Sequence, residues 1–185
     1  MKTRHIIVLL LAASGGEVRG RTMIQKEMYF LSERLGTNLG YRPYYYGPYS
    51  DEVQWELDRL EGIGLVRMRA ESLGQATRCG FEVNRYDFNL TEYGKEMAGW
   101  LKQKQEHREE SKKIEEFIGS LRSVPGINYI NLSLAAKVHY VLGKNGPLTQ
   151  DEIRENARAL GWAILPEDIE GAVQILEKLG FVKAD

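Results

Sequence analysis

The first apolar stretch, Ile6 to Ala13, has no polar position until Ser14, and Gly15-Gly16 closes it. A run apolar on every side predicts a short buried helix over Thr3 to Ala13. Between Arg21 and Leu35 the apolar positions thin to Ile24, Met28, Leu31 and Leu35, one stripe at helical spacing stopped by Gly36. The segment Tyr41-Arg-Pro-Tyr-Tyr-Tyr-Gly-Pro-Tyr49 is incompatible with a helix and favours turns. Ser50 is a good N-cap, Asp51 and Glu52 suit the positive end of a helix dipole, and Val53, Leu57 and Leu60 give the third helix an inner face up to about Gly62. Leu65 to Arg69 reads as a strand. Tyr86 to Leu90 alternates apolar and polar positions, the pattern of a half-buried strand.

Thr91 then caps a helix in which Met97, Trp100 and Leu101 face back to the first unit, Lys102 to Lys113 is nearly all polar, and Ile114, Phe117, Ile118 and Leu121 restore an apolar stripe. A helix polar all round in its middle usually bridges two bodies through solvent. The pattern therefore predicts one long helix, of about thirty residues and roughly 45 Å, ended by Ser123-Val-Pro-Gly126. Beyond it, Leu132 to Leu142, a helix opened by the capping-box pair Thr149 and Glu152, and Pro166 to Leu179 repeat the opening plan of three helices. Val53, Leu57, Leu60, Ile63, Gly64 and Val66 recur in register as Ile169, Val173, Leu176, Leu179, Gly180 and Val182.

The expected fold is mainly α with a small β-hairpin (α+β): two winged-helix-type modules joined by a long helix. Residues 1–100 form the N-terminal winged-helix domain, 101–124 the bridging charged helix, and 125–185 a winged-helix-like (helix-turn-helix) module without a full wing. So small a second module is marginal alone. The bridging helix or a second copy of the chain is expected to cover Ile169, Val173, Leu176 and Leu179, which makes a homo-oligomer through this module one expected partner arrangement.

Composition and charge narrow the classes. The formal net charge of −1 argues against a surface uniformly positive for nucleic acid and leaves room for a local basic patch. The single cysteine, Cys79, forms no intramolecular disulfide and no cysteine-based zinc site, as in a reducing, cytoplasmic setting. Lys2, Arg4 and His5 before the first apolar run, with Ala13-Ser14-Gly15 after it, imitate a secretory signal. The shortness of the run and the lack of a cysteine framework favour a retained buried helix, far below the ~20 residues that span a bilayer. His5, His107 and His139 are scattered, and no phosphate-cradling loop or dinucleotide fingerprint is present, so no enzyme activity, metal or cofactor is expected.

Several segments together resemble the YwgA-like and Panacea (SocA-like antitoxin) group of winged-helix proteins: Arg21-Thr-Met-Ile-Gln-Lys-Glu-Met-Tyr-Phe-Leu31, Tyr45-Tyr-Gly-Pro-Tyr-Ser50, Leu57 with Leu60, Gly64-Leu-Val66, and Leu90-Thr-Glu-Tyr-Gly94. The resemblance covers about residues 20–100. It implies a winged-helix fold, no cofactor, and a regulatory or partner-neutralising role. The chain departs from the group's pattern in having Ile24 before the Gln25-Lys26 pair and in carrying a further C-terminal module.

Charge pulls the functional reading two ways. The third helix holds Asp51, Glu52, Glu56, Asp58 and Glu61 against Arg59, and its C-terminal counterpart holds Glu167, Asp168, Glu170 and Glu177 against Lys178. Phosphates repel such helices. The hairpin after the third helix is basic, however, with Arg67, Arg69, Arg78 and Arg85, and Arg19, Arg21 and Lys26 cluster near the first turn. The leading expectation is a winged-helix regulator that contacts double-stranded DNA phosphates through these seven residues. The alternative is an interaction adaptor or antitoxin-like module that uses Tyr44, Tyr45, Tyr46, Tyr49 and Gln25 with the acidic helices on a protein partner. Structural roles compete with both: Gln25 bonding a loop backbone, Lys26 at an edge, and at least two of the four tyrosines packed on the second and third helices.

Overall fold

The computed structural model describes residues 1–75 and 82–183. Its elements in chain order are α1 (Thr3–Ala13), β1 (Glu17–Arg19), α2 (Arg21–Leu35), β2 (Arg42–Tyr44), β3 (Gly47–Tyr49), α3 (Asp51–Gly62), β4 (Val66–Gln75), β5 (Glu82–Leu90), α4 (Glu92–Gln103), a 3-10 turn (Gln105–His107), α5 (Arg108–Arg122), α6 (Tyr129–Asn145), α7 (Gln150–Ala159) and α8 (Pro166–Lys178). The protein is thus mainly helical, with two small antiparallel sheets. Among the described residues no helix is long and apolar enough to cross a membrane.

Every residue from Ile6 to Leu11 is buried because α1 lies at the centre, against α3, α4, α5 and β5. This explains a helix apolar on all sides. One sheet has the order β1-β5-β4, with Phe88 opposite both Val18 and Met68. Its inner face of Val18, Val66, Phe88 and Leu90 is buried. Strand β1 is too short to announce itself in sequence; it exists because β5 offers it an edge.

The expected long bridging helix is not formed. The chain leaves helical geometry at Lys104 (φ −70°, ψ 122°), passes through the 3-10 turn and folds back as α5. The reason is burial. Leu101 on α4 and Ile114, Phe117, Ile118 and Leu121 on α5 are all buried, and both helices pack on α1. A straight helix would leave one of these apolar faces in water.

The C-terminal segment is not held at a distance either. Helix α6 packs on α2 and β3, and α8 packs on α6. Buried residues from both halves belong to one hydrophobic cluster, in which Ile169, Leu176 and Leu179 are covered within the chain. Phe181 stacks on Phe30, with ring centroids 5.0 Å apart, and the Arg34 guanidinium lies over Phe181 and bonds the Leu179 carbonyl. Capping follows the sequence closely: Ser50 accepts from Val53 N–H, Thr91 from Gly94 N–H, and Thr149 with Glu152 forms the expected capping box.

Candidate interaction surface

The tyrosine segment is a tight hairpin. Arg42 pairs with Tyr49, Pro43 with Pro48 and Tyr44 with Gly47, which leaves Tyr45 and Tyr46 as a two-residue turn. Its base is gripped from several directions. The Gln25 side chain donates to the Ser50 carbonyl at 3.0 Å and accepts from the Ser50 N–H at 3.1 Å. This is the loop-backbone role expected of Gln25. Tyr41 donates to the Gln25 carbonyl at 3.2 Å, and Ser50 Oγ donates to the Leu39 carbonyl.

Lys26 is not at an edge and is unavailable to DNA. It is 2% exposed, and Nζ donates to the Pro48 carbonyl at 2.7 Å. Burial, then the nearby Lys137 charge, pull its pKa down to about 7. The hairpin lies so close to this lysine that a Cβ on Gly47 would stand 3.3 Å from Lys26 Cε and 3.2 Å from Lys137 Cγ. Gly47 also has a φ of +103°, the left-handed conformation that favours glycine.

The C-terminal half supplies the remaining support. Trp162 is buried, and its Nε1 donates to the Tyr44 carbonyl at 2.7 Å. Nothing in the local pattern around Gly161-Trp162 foretells this contact, which spans 118 residues.

With the backbone held, the tyrosine side chains project. Tyr44, Tyr45 and Tyr46 are 53%, 77% and 52% exposed, and Tyr49 is half-buried. The expected packing of at least two of the four on α2 and α3 is therefore not met. Their order comes instead from one another: the rings of Tyr44 and Tyr49 are 5.0 Å apart, those of Tyr45 and Tyr46 are 4.8 Å apart, and Arg42 lies beside Tyr44 while forming a bidentate pair with Asp51. On α3 the exposed residues are Glu52, Trp55, Asp58, Arg59 and Gly62, with Trp55 70% exposed.

The basic candidates lie mainly on the outer face of the three-stranded sheet, where they meet acids. Arg85 makes two 2.8 Å hydrogen bonds to Asp87 and also bonds Glu71; Arg19 bonds Glu17 at 3.2 Å. The bonds from Arg85 hold the Asp87 carboxyl below its ordinary range, helped by the Gly20 N–H. Arg21 rests over the Tyr86 ring at 4.6 Å. Arg67 and Arg69 are exposed and make no ion pair among the described residues. Arg78 lies outside the described residues.

Gln25, also expected as a partner contact, is 1% exposed and spends its side chain on the Ser50 backbone, so it supports the hairpin without reaching the surface. Sequence reasoning missed Trp162 and Lys137 as supports, and it missed Trp55, whose exposure has no signature in an amphipathic pattern that tolerates any residue on its outer face. Compared with protein-family models and with curated proteins, the chain matches no family model and no curated sequence.

Proposed function

We propose that this protein is a non-catalytic, cytoplasmic, winged-helix-type interaction module that engages a protein partner through the tip of its tyrosine hairpin. Three tyrosines more than half exposed, on a backbone clamped by Gln25, Lys26 and Trp162, carry this reading. Tyrosine gives large contact area with a polar tip, and a rigid support lowers the entropy lost on binding. The order helix, short strand, helix, helix, hairpin, with the short strand on the hairpin's second strand, supports the winged-helix part. The Tyr-Gly-Pro-Tyr resemblance to the Panacea group agrees with a partner-neutralising role.

The test is affinity capture from the native host with and without nuclease, using the parent, Tyr45→Ser/Tyr46→Ser, and Arg67→Ala/Arg69→Ala. A nuclease-resistant partner lost only with the tyrosine variant is expected. Capture that survives the tyrosine changes overturns the reading.

One observation favours a second reading, phosphate contact by the hairpin: Arg67 and Arg69, across from Asn89 and Asp87, are exposed on the outer face and make no ion pair among the described residues. If they hold duplex DNA, the slope of log K against log salt falls by ~0.9 for each phosphate contact removed. Fluorescence anisotropy on the arginine variant across a salt series measures this.

A further inference from the structure

Between α2 and α6 lies a cleft of about 380 Å³, in the size range of small-molecule sites. It is separate from the tyrosine tip, though Tyr41 at the foot of the hairpin lines it. Its walls carry Tyr29, Tyr41 and Tyr140, with Glu33, His139 and Lys144. We propose that this cleft binds a small organic ammonium ion, a single cationic nitrogen on a short apolar body.

Three independent features point to a cation. First, the last turns of α2 and α6 both line the cleft, and helix C-termini carry negative partial charge. Second, Glu33 is the acid among the lining residues, and burial raises its carboxyl somewhat above the ordinary range, which a cation beside it would offset. Burial lowers His139 to about 4, so it is neutral near pH 7, and its Nδ1 shares a 2.8 Å hydrogen bond with the Tyr29 hydroxyl. Burial first, and the Glu33 charge after it, push the Tyr29 phenol upward; burial, Tyr29 and Glu33 do the same to Tyr41. Both phenols are thus neutral, and both feel the Glu33 carboxylate. Third, the wall already attracts a cation from the chain itself: Lys144 Nζ sits 4.7 Å from the centroid of the Tyr140 ring. Aromatic faces hold ammonium groups in this way, and more strongly where water is partly excluded.

Lys144 is exposed at the rim, so an incoming ammonium can displace it from Tyr140 into solvent. The apolar body of the ligand then lies against the aromatic wall beside Tyr140, and its N–H groups donate to Glu33. An anion of the same size meets Glu33 and two helix C-termini, with Lys144 alone in its favour.

The probe is n-butylammonium chloride, with sodium butyrate as the isosteric anion and sodium chloride at matched ionic strength, followed by two-dimensional amide NMR on the full chain. Saturable shifts on residues 32–41 and 139–144 are expected with n-butylammonium alone. Glu33→Gln, a change at an exposed side chain, should weaken binding by about tenfold (roughly 1.4 kcal/mol). Lys144→Ala should tighten it. Butyrate binding as tightly as butylammonium, shifts reproduced by sodium chloride, or an unchanged affinity in Glu33→Gln each overturn the assignment. Tetramethylammonium, which has no N–H to give Glu33, should bind more weakly than butylammonium; equal or stronger binding overturns the site as described.

Discussion

The indole N–H of Trp162 donates to the carbonyl of Tyr44 at 2.7 Å, joining the tip of an N-terminal hairpin to a loop near the end of the chain. Trp162→Phe keeps a ring in the site and removes this bond, at a cost of about 1 kcal/mol in a urea titration. Because the bond fixes the hairpin, the same variant should weaken partner capture while Tyr49→Phe does not. Equal capture by Trp162→Phe and the parent would show that the hairpin holds its place without the C-terminal half.

Gln25 should prove more costly than its position between Ile24 and Lys26 suggests. In Gln25→Leu the Ser50 N–H loses its acceptor inside the protein, whereas the Ser50 carbonyl keeps the Gln54 N–H. One orphaned buried donor costs roughly 1–3 kcal/mol. Chemical denaturation should show a loss in that range, with Gln25→Glu at low pH recovering part of it. A loss under a few tenths of a kcal/mol would mean that water reaches Ser50.

Two glycines on one helix make opposite predictions. A Cβ on Gly94 would stand 2.1 Å from the Leu65 carbonyl oxygen and 2.9 Å from Leu90 Cδ2, so Gly94→Ala must move backbone and should cost about 3 kcal/mol. Gly99→Ala meets nothing within 4 Å and lies in the helix interior, so it should stabilise by about 0.5–1 kcal/mol. Thermal melts of the two variants beside the parent decide both.

Glu27 and His139 oppose each other in acid. Burial raises the Glu27 carboxyl to about 7, against the counter-pull of Arg122, whose Nη2 lies 2.8 Å from Oε1. Between about pH 4.5 and 6.5 folded Glu27 retains a proton that the unfolded chain releases, so its contribution to stability falls as pH rises. His139, depressed to about 4 by burial, rejects a proton that the unfolded chain binds, so its contribution rises with pH over the same window. The two slopes cancel in the parent. Glu27→Gln removes the first, so the variant's urea midpoint should climb from pH 4.5 to 6.5 and exceed the parent's above pH 7. Parallel profiles for the two proteins would contradict this assignment of protons.

The elements most legible in sequence were those decided locally. Thr3 to Ala13, Arg21 to Leu35 and the Ser50, Thr91 and Thr149 caps depend on residues within a turn or two. What sequence misjudged depends on contacts distant along the chain. The polar stretch Lys102 to Lys113 has the composition of a solvent bridge, yet Leu101 and Ile114 share a burial site on α1 and force a reversal at Lys104. Lys26 carries the charge of a surface residue, but its amine found the Pro48 carbonyl beneath a hairpin that sequence showed only as a turn-rich segment. Aromatic rings usually are buried, which leads to the expectation that at least two of Tyr44, Tyr45, Tyr46 and Tyr49 pack on α2 and α3; the tight hairpin turned at Tyr45-Tyr46 instead leaves three of them exposed.

The support of the hairpin by Trp162 and Lys137 also orders events during synthesis. When Tyr44 to Tyr46 emerge from the ribosome, Gln25 is already present but the indole and the α6 wall are still untranslated. The nascent chain therefore carries its sticky aromatic tip without the brace that presents it. On the proposed function, recognition would mature only as the last helices arrive, and a prematurely terminated chain should bind the proposed partner poorly.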